Sequence, residues 1–391
     1  MPRLYVGEDE MIEPDLMQKF VPGLELTEAF YLEEVRPLLE KHFPDLKYSA
    51  GKLHGGSDVL GFDTPQSMDH DWGPTKIDLF LNEGDRKRYG EDIETMLANH
   101  LPQEFRGVPT SFLPPQVDGS RSIGDVPGGR VFHRIAVTTT ERFFCEYIGV
   151  NPLSGMSEVD WLTVPPQKLR TISSGRIFHG GLGELAEVKS LLSWYPHDLW
   201  LYILACQWQR VDQEEPFVAR CGDVGDELGS RIVASRLISE LMCLCFLMEK
   251  SYWPYYKWFG SAFAQLQCAK KLEPIFHSIL NSTTWKEREG HLCDAYLFVG
   301  KMHNALRLTD PVEVRIAPFW GRPYQVPHSE RFVEAIYSQI QSEAILSLPK
   351  YCGSIGQFVD STDVLSWTSR SRDLGCFYTG RQQGGALNRM G

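Results

Sequence analysis

Two short stretches, His54-Gly55-Gly56-Ser57-Asp58 and Ser67-Met68-Asp69-His70-Asp71, hold the residue types with the clearest chemical use. A Gly-Gly-Ser turn lets backbone N–H groups approach a phosphate closely, and the serine hydroxyl adds a donor. Two acids at i and i+2 on an extended chain point to one face. Side by side, their carboxylates repel unless a cation lies between them. A hard divalent ion, Mg2+ or Mn2+, resolves that conflict, because it takes a few carboxylates together with phosphate oxygens. Singly, each half is common: a solvated turn accounts for Asp69 and Asp71, and a plain φ > 0 position accounts for Gly56. Together, about eleven residues apart, they point to phosphate transfer.

Such residues need a frame. Leu26, Phe30, Tyr31, Val35, Leu38 and Leu39 recur at helical spacing, which predicts a helix over 26–42 that Pro44 ends. Lys76 to Asn82 alternates like a strand, and 91–101 reads as a short amphipathic helix. Gly, Pro, Ser and Asp crowd 107–130, the mark of a long surface loop. Val131 to Val137 reads as a second strand, followed by a helix from Glu141. This order predicts a small α/β domain over 20–150.

From about 155 the pattern turns helical, with segments at 183–193, 196–214, 226–250, 254–280, 284–306 and 329–347. Ile232 to Met248 is nearly all apolar and predicts the central helix of a bundle. Four prolines in 311–327 interrupt the bundle. The expected fold class is therefore α+β: a small mixed sheet with helices, then a larger helical domain over 151–370. Residues 371–391, rich in Gly, Arg and Gln, read as a flexible tail.

Composition narrows the partners. The 391 residues carry a net charge of −12 and no basic stripe, so a long nucleic acid is an unsuitable partner, while a tRNA end or short RNA is left open. The one tight basic cluster, Arg86-Lys87-Arg88, reads as part of a turn. Nine cysteines without a Cys-x-x-Cys pair argue for a reducing compartment and against a disulfide framework or a structural zinc site. No long apolar run suggests a signal or membrane span, so the expected location is the cytoplasm. Oligomeric state is not legible.

A helix, Gly-Ser, a spacer, then Asp-x-Asp beside a strand resembles the signature of the DNA polymerase beta-like nucleotidyltransferase superfamily. More closely, the chain resembles the uncharacterised family domain of unknown function 4037. The residues that carry this likeness are Gly56-Ser57, Asp69 to Pro74, Asp160-Trp161-Leu162, Gly175 to His179, Tyr252 to Trp258, and Gln357 to Ser361. The superfamily resemblance implies that Gly56 and Ser57 hold a triphosphate and that Asp69 and Asp71 bind Mg2+ or Mn2+. It implies attack of an acceptor's hydroxyl or amino group on the α-phosphate of an NTP, ATP by expectation, with release of pyrophosphate.

One departure stands out. Active members add a third carboxylate on a later strand, and Phe132 to Val137 holds none. Asp78, Asp125 and Glu141 lie nearby, and His133 offers a base of near-neutral pKa. A nucleotide-binding module without turnover is the alternative. Cations of the helical domain, Arg220, Arg231, Arg236 and Lys257, are expected to meet the triphosphate, with ordinary pairing such as Arg236 to Glu240 as the competing account. Lys257 sits among Trp253, Tyr255, Tyr256 and Trp258, rings suited either to stacking or to a core.

Overall fold

The computed structural model describes residues 20–379, apart from 117–119, 125 and 127. Helix α1 (Gly23–Phe30) passes through a π-helical turn (Tyr31–Val35) into α2 (Arg36–His42). The sequence explains the irregularity. Pro37 has no N–H for the carbonyl four residues back, and its ring crowds that carbonyl. A wider π turn absorbs both effects without ending the helix. Leu26, Phe30, Tyr31, Val35 and Leu39 all face inward, as their spacing requires.

They pack on a four-stranded sheet. Its strands are β1 (Ser49–Lys52), β2 (Asp78–Phe80), β3 (Ala136–Thr138) and β4 (Arg176–Gly180), in the order β3-β2-β1-β4. β1 runs antiparallel to β2 with Gly51 opposite Asp78, and antiparallel to β4 with a bulge between Ala50 and Gly51. β2 and β3 are parallel, with Asp78 opposite Ala136. The class is α+β, as the sequence implied. The fourth strand comes from a region where only helices were expected. Its run Arg176-Ile177-Phe178-His179 is half-buried, too short and too polar to stand out by pattern.

The first compact unit accordingly comprises the described residues up to Tyr147, Asn151–Leu153 and Thr171–Leu192. Two local expectations change here. Arg86-Lys87-Arg88 is not in a turn but inside α3 (Glu83–His100), which Asn82 starts by accepting the Asp85 N–H at 2.9 Å. The loop after it is also more ordered than its composition suggests. It carries a two-residue hairpin, Glu104–Phe105 with Val108–Pro109, and Phe112 bridges to Ile123.

The second unit comprises Ile148–Val150, Ser154–Arg170 and the residues from Ser193 onward. Its main helices are His197–Glu214, Glu227–Met248, Ala269–Asn281 and Trp285–Ala305. The expected helix over 254–280 is two, Tyr256–Phe263 and Ala269–Asn281. That over 329–347 breaks into Glu330–Tyr337 and Glu343–Leu346. The second break has a visible cause: the Asp198 carboxylate accepts the N–H groups of Gln341 and Ser342 at 2.8 and 2.6 Å, and Ser342 begins a new helix.

A buried polar network ties this unit together. Glu240 takes a forked pair from Arg210 at 2.6 and 2.8 Å and a third bond from Gln207 at 2.6 Å. Gln207 in turn accepts from Gln357 at 2.8 Å. Glu240 is thus committed, and Arg236 pairs with Glu214 at 2.8 Å, not with Glu240 as spacing suggested. Residues 371–379 are not a loose tail. Tyr378 is buried and donates to the Gly353 carbonyl at 2.7 Å. The rest of the expected tail, 380–391, lies outside the described residues. All nine cysteines are free thiols, and among the described residues no helix is long and apolar enough to cross a membrane.

Candidate active site

β1 delivers the Gly-Gly-Ser turn from the middle of the sheet. Lys52, its last residue, is 1% exposed and forms an ion pair with Asp58, which is 5% exposed. Lys52 also donates to the Thr27 hydroxyl at 3.3 Å. Burial works to raise the Asp58 carboxyl, and Lys52 and Lys76 outweigh it, holding the group below the ordinary carboxylate range. The ion pair folds the chain back on itself, so the turn between its partners is tight. Gly55 takes the strain at φ +143°, where a Cβ would meet Val59 and Asp58 at 3.1 and 3.3 Å.

The competing account of Gly56, a plain φ > 0 position, does not hold. Its φ is −100°, and nothing lies within 4 Å of where its Cβ would stand. That open space leaves its backbone accessible to a ligand. Ser57 begins a four-residue helix, Ser57–Leu60, and is half-exposed, while Asp58, Val59 and Leu60 turn inward.

The acids do not lie on an extended strand. Asp69 ends a short 3-10 helix, Pro65–Asp69, and Asp71 adopts φ +50°. The side-by-side geometry drawn from an i, i+2 strand pattern therefore does not hold. Each carboxylate has its own cationic or ring partner. Asp69 accepts the His70 N–H at 2.8 Å and lies 2.8 Å from His70 Nδ1. Asp71 is paired with Arg134, its N–H donates to the Arg121 carbonyl at 2.8 Å, and its own carbonyl accepts from Lys76 at 2.8 Å. Both carboxylates remain open to solvent at 55% and 40% exposure.

Lys76 joins the two halves. Burial first, then the charge of Lys52, lowers its pKa to about 8, and Asp58, Arg134 and Asp71 all act on it. Lys76 thus stands within electrostatic reach of the glycine turn and of the Asp-x-Asp segment. Three cations, Lys52, Lys76 and Arg134, are thus gathered with Asp58 and Asp71 on a chain whose overall charge is −12.

The third acid, missing from the second expected strand, has a counterpart on β2. Asp78, almost wholly buried on β2, has its Oδ2 3.0 Å from His54 Nδ1, and the His54 ring meets Phe143 and Tyr147 edge-on. Glu141 is exposed on the helix Thr140–Ile148, and Asp125 lies outside the described residues. His133 is held by backbone at both nitrogens: Nδ1 accepts the Ile135 N–H at 3.2 Å, and Nε2 lies 3.2 Å from the Glu94 carbonyl. Burial lowers its pKa, so the neutral ring with its proton on Nε2 satisfies both contacts. No contact brings it to Asp69 or Asp71 among the described residues.

The cations of the second unit are described within that unit. Lys257 is exposed with its ammonium 5.0 Å from the Trp258 ring, Arg220 lies over Phe217 at 5.9 Å, and Arg231 is exposed. Tyr252 and Trp253 are buried, with Tyr252 packed on Trp194 and Tyr195, so those two rings are core. Lys52, Lys76 and Arg134 escaped the sequence reading. The only signal was Lys76 at the start of its strand-like run.

A metal test follows from the donors present. Asp69 and Asp71 are exposed, hard oxygen donors, which suits a Mg2+ arriving with a triphosphate that completes its coordination. They do not suit a resident ion, because among the described residues Asp69 and Asp71 do not join with another carboxylate, imidazole or thiol into a cluster of three ligand atoms.

No curated protein and no solved structure matches the chain. Residues 161–259 match the family model described as Domain of unknown function (DUF4037), and over that stretch the family resemblance holds.

Proposed function

We propose that the first unit binds a nucleoside triphosphate with Mg2+ and transfers its nucleotidyl group to a small hydroxyl or amino acceptor. The observation that carries this reading is Lys76, which feels charges from both halves of the motif at once. Gly56 and Ser57 supply an open backbone and a hydroxyl for phosphate oxygens. Lys76 and Arg134 supply positive charge beside them, Arg134 with the planar fork that suits phosphate. Asp69 and Asp71 would hold the metal, which neutralises phosphate charge when bound. For Asp71 this requires Arg134 to exchange a carboxylate for a phosphate, a trade between equal charges. Asp78, turned toward His54, is the acid placed to orient that imidazole beside the turn.

Arg134 on Asp71 also favours a second reading, a nucleotide-binding module without turnover. One experiment separates them. Thermal shift is measured with each NTP, with and without Mg2+ or Mn2+, and pyrophosphate release is assayed with a metabolite extract. The expected result is metal-dependent stabilisation of about 2.7 kcal/mol at a hundred times the dissociation constant. Asp69→Asn with Asp71→Asn removes it. Stabilisation without pyrophosphate release supports the module. Triphosphate binding untouched in the double variant rejects the assignment.

A further inference from the structure

We infer that the helical unit carries a metal site of its own, formed by Glu215, His328 and Glu330 and suited to a zinc-class divalent ion. One ligand atom from each of the three residues lies within 4.8 Å of the others, and among the described residues no other such group of three exists. Glu215 is far in sequence from the other two. Glu215 follows the helix His197–Glu214, and Glu330 opens the helix Glu330–Tyr337 just after His328.

The protonation logic of His328 points to a cation. Its Nε2 lies 3.2 Å from the Pro318 carbonyl, which can only accept, so Nε2 carries a proton. A metal-binding histidine is held in this way, by its far nitrogen on a carbonyl. The other nitrogen, Nδ1, faces the Glu330 carboxylate at 3.5 Å. That is too long for a hydrogen bond. It matches the separation of roughly 3.3–3.4 Å that two ligands show around a tetrahedral ion with bonds near 2.0–2.1 Å. With the ring proton on Nε2, the Nδ1 lone pair faces the Glu330 carboxylate.

A buried hydroxyl adds a second sign. Ser329, wholly buried, donates its N–H to the Glu215 carboxylate at 3.2 Å and so fixes it in place. The Tyr296 hydroxyl is buried, has no hydrogen-bond partner and lies within electrostatic reach of Glu215. Buried hydroxyls are normally satisfied. An ion with a bound water would supply what Tyr296 lacks. Two carboxylates balance a divalent charge, and the imidazole selects Zn2+ over Ca2+ or Mg2+. Three protein ligands leave a further position for water or a ligand atom.

The test uses the full chain, stripped of metal and dialysed against Zn2+, Mn2+ or Mg2+, with bound metal counted by elemental analysis. The expected result is one Zn2+ per chain, with little Mg2+. His328→Gln and Glu330→Gln each weaken Zn2+ binding at least tenfold while keeping the parent's circular dichroism. Asp69→Asn with Asp71→Asn leaves the stoichiometry unchanged, which keeps this site distinct from the first unit. No retained Zn2+, or equal retention in the His328 and Glu330 variants, overturns the assignment.

Discussion

Lys52 is buried with its full charge, and the Asp58 carboxylate is what makes that tolerable. Removing one partner of such a pair leaves an uncompensated charge, at a cost of about 3–5 kcal/mol. Lys52→Met should therefore lower the urea midpoint sharply. Lys52→Met with Asp58→Leu should recover most of the loss, because both charges are gone. An equal loss in the double variant would mean that packing, not charge, is at stake. The pH sign follows from the lowered Asp58 value. Its contribution is complete above the unfolded carboxylate pKa, near 3.9, and is lost as pH falls through the folded value. Lys76 behaves oppositely. Its folded value of about 8 is below the ordinary 10.5, so between them the unfolded chain binds more protons and stability rises with pH. The stability difference between the parent and Lys76→Met should grow in the parent's favour from pH 8 to 10. A flat difference would show that Lys76 titrates normally.

Elements explain what was legible in the sequence. Helices with a clear apolar stripe were read almost to the residue: 284–306 was expected and Trp285–Ala305 is observed, opened by a Thr284–Glu287 capping box. The short strands were placed less well. Asp78–Phe80 lies inside its expected run, but Ala136–Thr138 sits at the end of 131–137. β4 was missed because three to five half-buried residues carry no period of their own. At the site, the Gly-Gly-Ser turn was legible because glycine marks backbone geometry. The positive φ falls on Gly55, inside the turn closed by the Lys52–Asp58 ion pair, a tie that the glycine pattern does not reveal. The partners of Asp71 were equally hidden, since Arg134 reaches it from a distant segment. The polar network among the helices makes its own forecast. Arg210→Met strands Glu240, which is 9% exposed, and should cost about 3–5 kcal/mol in chemical denaturation. Arg210→Met with Glu240→Leu should cost much less. A small effect of Arg210→Met alone would show that Gln207 suffices for the carboxylate.

At the scale of the molecule, the sheet and its surrounding helices do not end where the sequence pattern changes. The first unit reaches across to Thr171–Leu192, and the chain visits the second unit in between. A fragment of residues 20–150 lacks β4, leaving one edge of β1 unpaired. It should aggregate or melt without cooperativity. A fragment of 20–192 completes the sheet and should show a sharper thermal transition by circular dichroism. Equal behaviour of the two would mean that β4 adds nothing to the stability of the sheet.

The same fourth strand sets a timetable. On a ribosome, β1 and β2 emerge early, while β4 waits until about a hundred further residues have been made. At ordinary elongation rates that wait is on the order of ten seconds. For that interval Ser49 to Lys52 is an open edge, already backed by its helices and ready to accept any passing strand. Codon choice between residues 80 and 180 is therefore a determinant of yield. Slowing that stretch should lengthen the exposed interval and raise the insoluble fraction, while slowing codons after 192 should not.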